Sequence, residues 1–299
     1  MKFMPKPAGA QAMVRRAIGP GHSGLLGGAS GGDALRQAML ALDGQRPQEA
    51  QRIAEDILAI DPRHGRALHV LGCALLMQGR ARDAIAPLET AARELREPET
   101  DTLYAIALRQ AGREDDALSQ LKRTIKRRAP YAAAFHELGV LLSSLKRYDE
   151  AIEAFRHGLE IAPMMPELSI QLGRALLRRR NSAEARLAFA RALEISPASP
   201  DALLGMASAH REVGEIEAAA DYLRRYLRLK PDDAEMWLNL GHCLLELGQR
   251  DAGYDCFRAV VRGDQRRYGS ALKSLASSGR GRFWLRPSDA VRFLRGAKS

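Results

Sequence analysis

Residues 132–163 read AAAFHELGVLLSSLKRYDEAIEAFRHGLEIAP, and their spacing sets the architecture of the whole chain. Phe135, Leu138, Leu142 and Leu145 recur in steps of three and four, which puts them on one stripe of an amphipathic helix. A polar break at Lys146-Arg147-Tyr148-Asp149 follows, and Ala151, Ile152, Phe155 and Leu159 open a second stripe that stops at Pro163. Proline lacks the backbone donor and clashes with the preceding turn, so it cannot carry the helix on. No part of the chain alternates with period two for long enough to make a strand. The stretch predicts two antiparallel helices joined by a short turn.

The same unit recurs in both directions. One small residue returns as Ala50, Ala84, Ala117, Ala151, Ala185, Ala219 and Gly253, at spacings of 34, 33, 34, 34, 34 and 34. A second series, Pro62, Pro98, Pro130, Pro163, Pro197 and Pro231, marks the segment ends, where each second helix should stop. A third series places Gly72, Gly139, Gly173 and Gly241 in the first helices. The small residues belong where paired helices come closest. Phe155, Phe189, Leu223 and Phe257 are large knobs expected to fill the gap to the next unit. Gly79, Gly112, Gly214 and Gly248 fall in the turns, where a positive φ costs glycine nothing.

These markers resemble the tetratricopeptide repeat family, built from helix–turn–helix units of 34 residues. Trp237, Leu240-Gly241, Leu244, Gly248 and Phe257 match best; Phe135, Leu138-Gly139, Ala151, Phe155 and Pro163 are nearly as close. Seven units account for residues 33–267. Departures are modest: an extra residue between Gly44 and Ala50, a third unit one residue short and lacking the glycine, and Gly253 for alanine in the seventh. The resemblance implies an all-α, right-handed superhelical solenoid. Residues 1–32 are expected to be a flexible, basic, Gly-rich segment with Asp33 as the first helix cap. Residues 268–279 are expected to form a capping helix, and 280–299 a basic, aromatic tail with a short helix.

Composition sets the outer bounds. The chain has 299 residues, 46% hydrophobic and 27% charged, which excludes disorder over most of its length. No apolar run is long enough to span a membrane, and the N-terminus lacks the apolar core of a secretory signal. Three scattered cysteines, Cys73, Cys243 and Cys256, make no disulfide framework and point to the cytoplasm. The net charge is +10, but residues 1–32 carry four Lys/Arg and no acid, and residues 262–299 carry ten Lys/Arg against Asp264 and Asp289. The middle is therefore close to neutral, and any attraction to nucleic acid or anionic membrane must come from the ends.

The resemblance implies a concave groove lined by first helices, which binds a peptide or helix of a partner protein. Register places His69, Cys73, Arg109, His136, Arg174, Arg178, Leu204, Arg211, Leu238 and His242 on or near that face. Arginines among aliphatic side chains suit an acidic ligand, because the guanidinium fork grips a carboxylate with two hydrogen bonds. The competing expectation is a solvated face whose arginines pair with neighbouring Glu and Asp. The Lys/Asn pattern by which some family members clamp a chaperone's terminal carboxylates is not recognisable here.

The alternative is a binder of nucleic acid or anionic membrane acting through the C-terminal tail, where Arg280, Arg282 and Arg286 interleave with Phe283 and Trp284, with the repeats as spacer or dimerisation module. A fold-back of Phe283, Trp284 and Leu285 onto the last helices would instead make the tail a cap. No metal is expected, since the His/Cys positions lack two short-spaced ligand pairs. No phosphate-loop, H-E-x-x-H or G-x-S-x-G motif occurs, so neither a cofactor nor an enzyme activity is expected. Homo-oligomerisation is compatible with the pattern.

Overall fold

The computed structural model describes residues 29–127 and 129–263, together with Gly269 and Leu294. Every regular element among the described residues is an α-helix. In the first of two compact units, residues 1–163, these are α1 (Ala29–Asp43), α2 (Pro47–Ile60), α3 (Gly65–Met77), α4 (Ala81–Leu95), α5 (Pro98–Gln110), α6 (Glu114–Arg127), α7 (Ala132–Ser144) and α8 (Tyr148–Ile161). In the second, residues 164–299, they are α9 (Pro166–Arg178), α10 (Ser182–Ile195), α11 (Pro200–Glu212), α12 (Ile216–Leu229), α13 (Ala234–Glu246) and α14 (Arg250–Gly263). Within each unit consecutive helices pack as antiparallel pairs. First helices of successive pairs also touch, α1 on α3, α3 on α5, α5 on α7 and, in the second unit, α9 on α11.

The close-approach residues explain the pairing. The recurring alanines Ala50, Ala84, Ala117, Ala151, Ala185 and Ala219 are all fully buried. A Cβ on Gly72 would lie 2.3 Å from Leu88, one on Gly139 2.4 Å from Phe155, and one on Gly241 2.5 Å from Phe257. These glycines are sockets for a large side chain of the partner helix. Phe155 and Phe257 therefore seat within their own pairs rather than filling only the gap to the next. Phe189 does both, standing between Gly173 of its own pair and Gly205 of the following one. Burying each such side chain contributes about 1.5–3 kcal/mol.

Each turn uses one left-handed residue, and the series Gln45, Gly79, Gly112, Lys146, Arg180, Gly214 and Gly248 has φ of 57, 75, 84, 61, 58, 80 and 79°. It runs five residues ahead of the alanine series, so the geometry is retained where glycine is absent. Helix ends are set locally: Asn181, Ser199 and Asp233 accept hydrogen bonds from backbone N–H groups of the helices they precede.

Two sequence expectations differ from the fold. Pro98 does not merely end a segment; it is the first residue of α5, where its missing N–H has no helical partner to lose. Asp33 lies inside α1, which already begins at Ala29, instead of capping it.

Candidate functional site

In the first unit the expected groove residues come from α3, α5 and α7, and most are buried. His69 is buried, with Nδ1 2.9 Å from the Thr100 hydroxyl. Burial, helped by the nearby Arg66 charge, pushes its pKa down to about 4, so the ring is neutral near pH 7. Cys73 is fully buried and burial pushes its thiol up to about 12, which leaves it a packing group rather than a nucleophile.

Arg109 and His136 meet around a residue that the sequence reading missed. Arg109 Nη2 donates to Glu137 Oε2 at 3.0 Å, and His136 Nδ1 lies 3.5 Å from Glu137 Oε1. Glu137 is only 3% exposed. Burial alone would raise its carboxyl pKa, but His136 and Arg109 outweigh that and hold it below the usual range. Arg109 Nε and both His136 ring nitrogens are buried without a hydrogen-bond partner among the described residues. The only sequence signal for Glu137 was an acidic residue set between His136 and Leu138 on the packing side of α7.

The second unit is different. Arg174 Nη2 donates to Asp201 Oδ1 at 2.6 Å, an exposed pair tying α9 to α11. Arg178 and Arg211 are exposed and make no ion pair among the described residues. Leu204 and Leu238 are half-buried on hydrophobic clusters of this unit. His242 stands edge-on to Phe257, with ring centroids 5.4 Å apart, and burial followed by the Arg211 charge lowers its pKa. Arg178 and Arg211, unlike Arg174, are thus presented here without being consumed by internal pairs among the described residues.

Arginine–carboxylate clasps between successive pairs are frequent. Arg66 meets Glu97 at 2.5 Å, and Arg186 meets Glu215 at 2.8 Å, with His210 on the same carboxylate. The competing expectation of a face whose arginines are paired therefore holds for Arg109 and Arg174. Arg178 and Arg211 stand outside it.

Arg280, Arg282, Phe283, Trp284 and Arg286 lie outside the described residues. Leu294 is helical and buried, in one cluster with Leu245, Tyr254, Phe257 and Val261. Cys243 and Cys256 are buried free thiols whose pKa values burial raises. Among the described residues no group of three or more His, Cys, Asp or Glu side chains converges on a point, and no helix is long and apolar enough to cross a membrane.

Stacked antiparallel helix pairs with glycine sockets and a left-handed turn residue every 33 or 34 positions define a helical-repeat protein. The chain belongs to the tetratricopeptide repeat family, whose model matches residues 35–97, 104–166, 156–200, 170–234 and 204–265. Similar solved structures share the fold. PilW, described as a widely conserved type IV pilus biogenesis factor, is 17% identical with a TM-score of 0.63, covering 69% of this chain and 96% of that one. The C-terminal part of a TPR repeat-containing protein from Cytophaga hutchinsonii is 14% identical, with a TM-score of 0.64 over 81% of this chain and 99% of its own. Pseudomonas aeruginosa PilF is 20% identical, with a TM-score of 0.59 over 69% and 93%. No curated protein sequence matches the chain.

Proposed function

We propose that the chain is a non-catalytic scaffold that binds an acidic peptide or helix of another protein on the first-helix face of its second unit. The observation that carries this reading is the contrast among the arginines. Arg178 and Arg211 are exposed without an ion pair among the described residues, in the unit whose first helices also carry half-buried Leu204, Leu238 and His242. Apolar contacts supply affinity in such a groove and a few guanidinium–carboxylate bonds supply orientation. Arg174 contributes less, because Asp201 already holds it. In the first unit His69, Arg109 and His136 support the packing of the groove wall. The fold family and the three neighbours, one of them a pilus biogenesis factor, fit an interaction scaffold. A cytoplasmic location is part of the proposal, in keeping with three buried free thiols. The burial of Leu294 against the last helix pair supports a tail that acts as a cap.

The test is a crosslinked pull-down from native lysate with the full chain, its R178E/R211E variant and a truncation after residue 261. Loss of a protein partner with the charge reversal, at unchanged helicity, supports the groove. Partners unaffected by the reversal, with nucleic acid or lipid lost only on truncation, would overturn it in favour of the tail.

A further inference from the structure

The outward face of α10 departs from the other second helices at three positions, each about one turn from the next. Those positions carry Asp149, Glu153 and Arg156 in α8, Glu217, Asp221 and Arg224 in α12, and Asp251, Asp255 and Arg258 in α14. In α10 they carry Ala183, Leu187 and Ala190. In the three charged helices the acid and the arginine at the second and third places pair with each other, at 2.7, 2.7 and 2.9 Å. α10 lacks both members of that pair and presents an apolar stripe in steps of four and three. Leu187, at the centre of the stripe, is 71% exposed. A single exposed leucine is ordinary on a protein surface. Here the whole stripe is apolar, and the charges beside it fit one kind of partner.

Arg191 lies one turn after Leu187 and Glu184 just under one turn before it, so both lean to the same side of the stripe. Glu184 is held near the start of the helix, accepting from Asn181 Nδ2 at 2.9 Å. Arg191 is exposed and makes no ion pair among the described residues. An antiparallel copy of α10 centred on Leu187 brings its Glu184 opposite Arg191, and its Arg191 opposite Glu184. Residues equally far from the centre face each other in such a pairing. Exposed Arg180 therefore falls opposite the copy's exposed Glu194, and neither makes an ion pair among the described residues. A parallel copy would set Arg191 against Arg191. The face is complementary to itself only in the antiparallel sense.

We propose that this face of α10 is the interface of a homodimer, in which two copies of the chain pair about a two-fold axis at Leu187. Ala183 and Ala190 let the two backbones approach, and the leucines pack on each other at the axis. The interface lies on a second helix and shares no residue with the first-helix groove set, so it is independent of the groove reading. One 14-residue helix from each copy is a small contact, below the roughly 1,000 Å² of lasting complexes. The dimer therefore exchanges with monomer, and its population rises with concentration.

The experiment is sedimentation velocity of the full chain from the micromolar to the submillimolar range, where the wild type is expected to pass from monomer toward dimer. Leu187→Asp installs the residue type of Asp221 and Asp255, sets two carboxylates against each other at the axis and should abolish the dimer. Arg191→Glu and Glu184→Arg should each weaken it at least about tenfold, because each places like charges across the interface. Mixing these two variants in equal amounts should restore a dimer, since each supplies the charge that the other lacks. R178A/R211A, which alters only the groove, should dimerise as the wild type does. Circular dichroism checks that each variant keeps its helicity. A wild-type chain that stays monomeric throughout overturns the proposal, as does a dimer that survives Leu187→Asp. A mixture of the charge variants that dimerises no better than either alone also overturns it. Loss of the dimer in R178A/R211A would place the contact between copies in the groove and overturn the α10 interface.

Discussion

Arg109 in the first unit and Arg211 in the second occupy the same place in their repeats, near the end of a first helix, yet they meet opposite surroundings. Arg109 reaches a buried Glu137 that also faces His136, whereas Arg211 is exposed and without an ion pair among the described residues. The side chains one unit further on make the difference. A carboxylate at 137 converts the arginine into a clasp between helices, while the corresponding residue after Arg211 is Asn239, which carries no charge. A cation is a structural element where an acid of the next repeat claims it, and an interaction element where none does.

The largest test of that contrast is removal of the acid. Glu137→Ala leaves Arg109 partly buried without its partner and is expected to cost about 3 kcal/mol, whereas Arg211→Ala should change stability by less than about 0.5 kcal/mol. Urea unfolding of the full chain checks both. Equal effects at the two positions would erase the distinction between clasp and free cation.

A second test uses pH. His69 has a folded pKa of about 4 against an ordinary value of 6.5, so the unfolded chain takes up a proton that the folded chain refuses. Its stabilising contribution is whole above pH 6.5 and falls as the pH drops from 6.5 toward 4, by up to about 3 kcal/mol. His69→Leu, the residue type of Leu204 and Leu238 at the same place in the second unit, should remove that part of the acid sensitivity. Urea midpoints compared at pH 7 and pH 5 give the answer. A variant as acid-sensitive as the wild type would show that the buried histidine does not set the response.

The smallest effect is common to both units. Lys146 and Arg180 hold the left-handed turn position that glycine holds at Gly79, Gly112, Gly214 and Gly248, with φ of 61 and 58°. Lys146→Gly and Arg180→Gly should each stabilise the chain by about 1 kcal/mol, read as a raised unfolding midpoint. Similar gains at the two sites would sharpen the comparison, because they show that the units differ in side-chain partners and not in backbone geometry. Destabilisation at either would mean that the side chain there makes a contact worth more than the strain.

Much of the fold is legible in the linear chain, because its determinants are local. The three- and four-residue stripe of 132–145, the break after it and the proline at 163 each act within a few residues of themselves, and repetition at 34 multiplies the signal. The glycine sockets were also legible, since Gly139 and Phe155 recur in register. Pro98 and Asp33 were misread because a proline or an aspartate between two helical stripes serves equally to end one helix or to start the next. Choosing between them depends on where the chain turns.

The site was less legible. Helical register assigned His69, Arg109, His136, Arg174, Arg178, Leu204, Arg211, Leu238 and His242 to one kind of face, and it contains no information on what lies across from that face. The sequence alone determined the helix pairs, their period and their close-approach residues, because helix propensity, steric exclusion at a glycine and a left-handed turn are properties of short segments. Tertiary structure alone decided that Arg109 belongs to Glu137 and Arg174 to Asp201, and that Cys73 and His69 are sealed and uncharged. Those outcomes depend on distances between helices nearly thirty residues apart in the chain and on how much water the packing leaves, and electrostatic energy follows both.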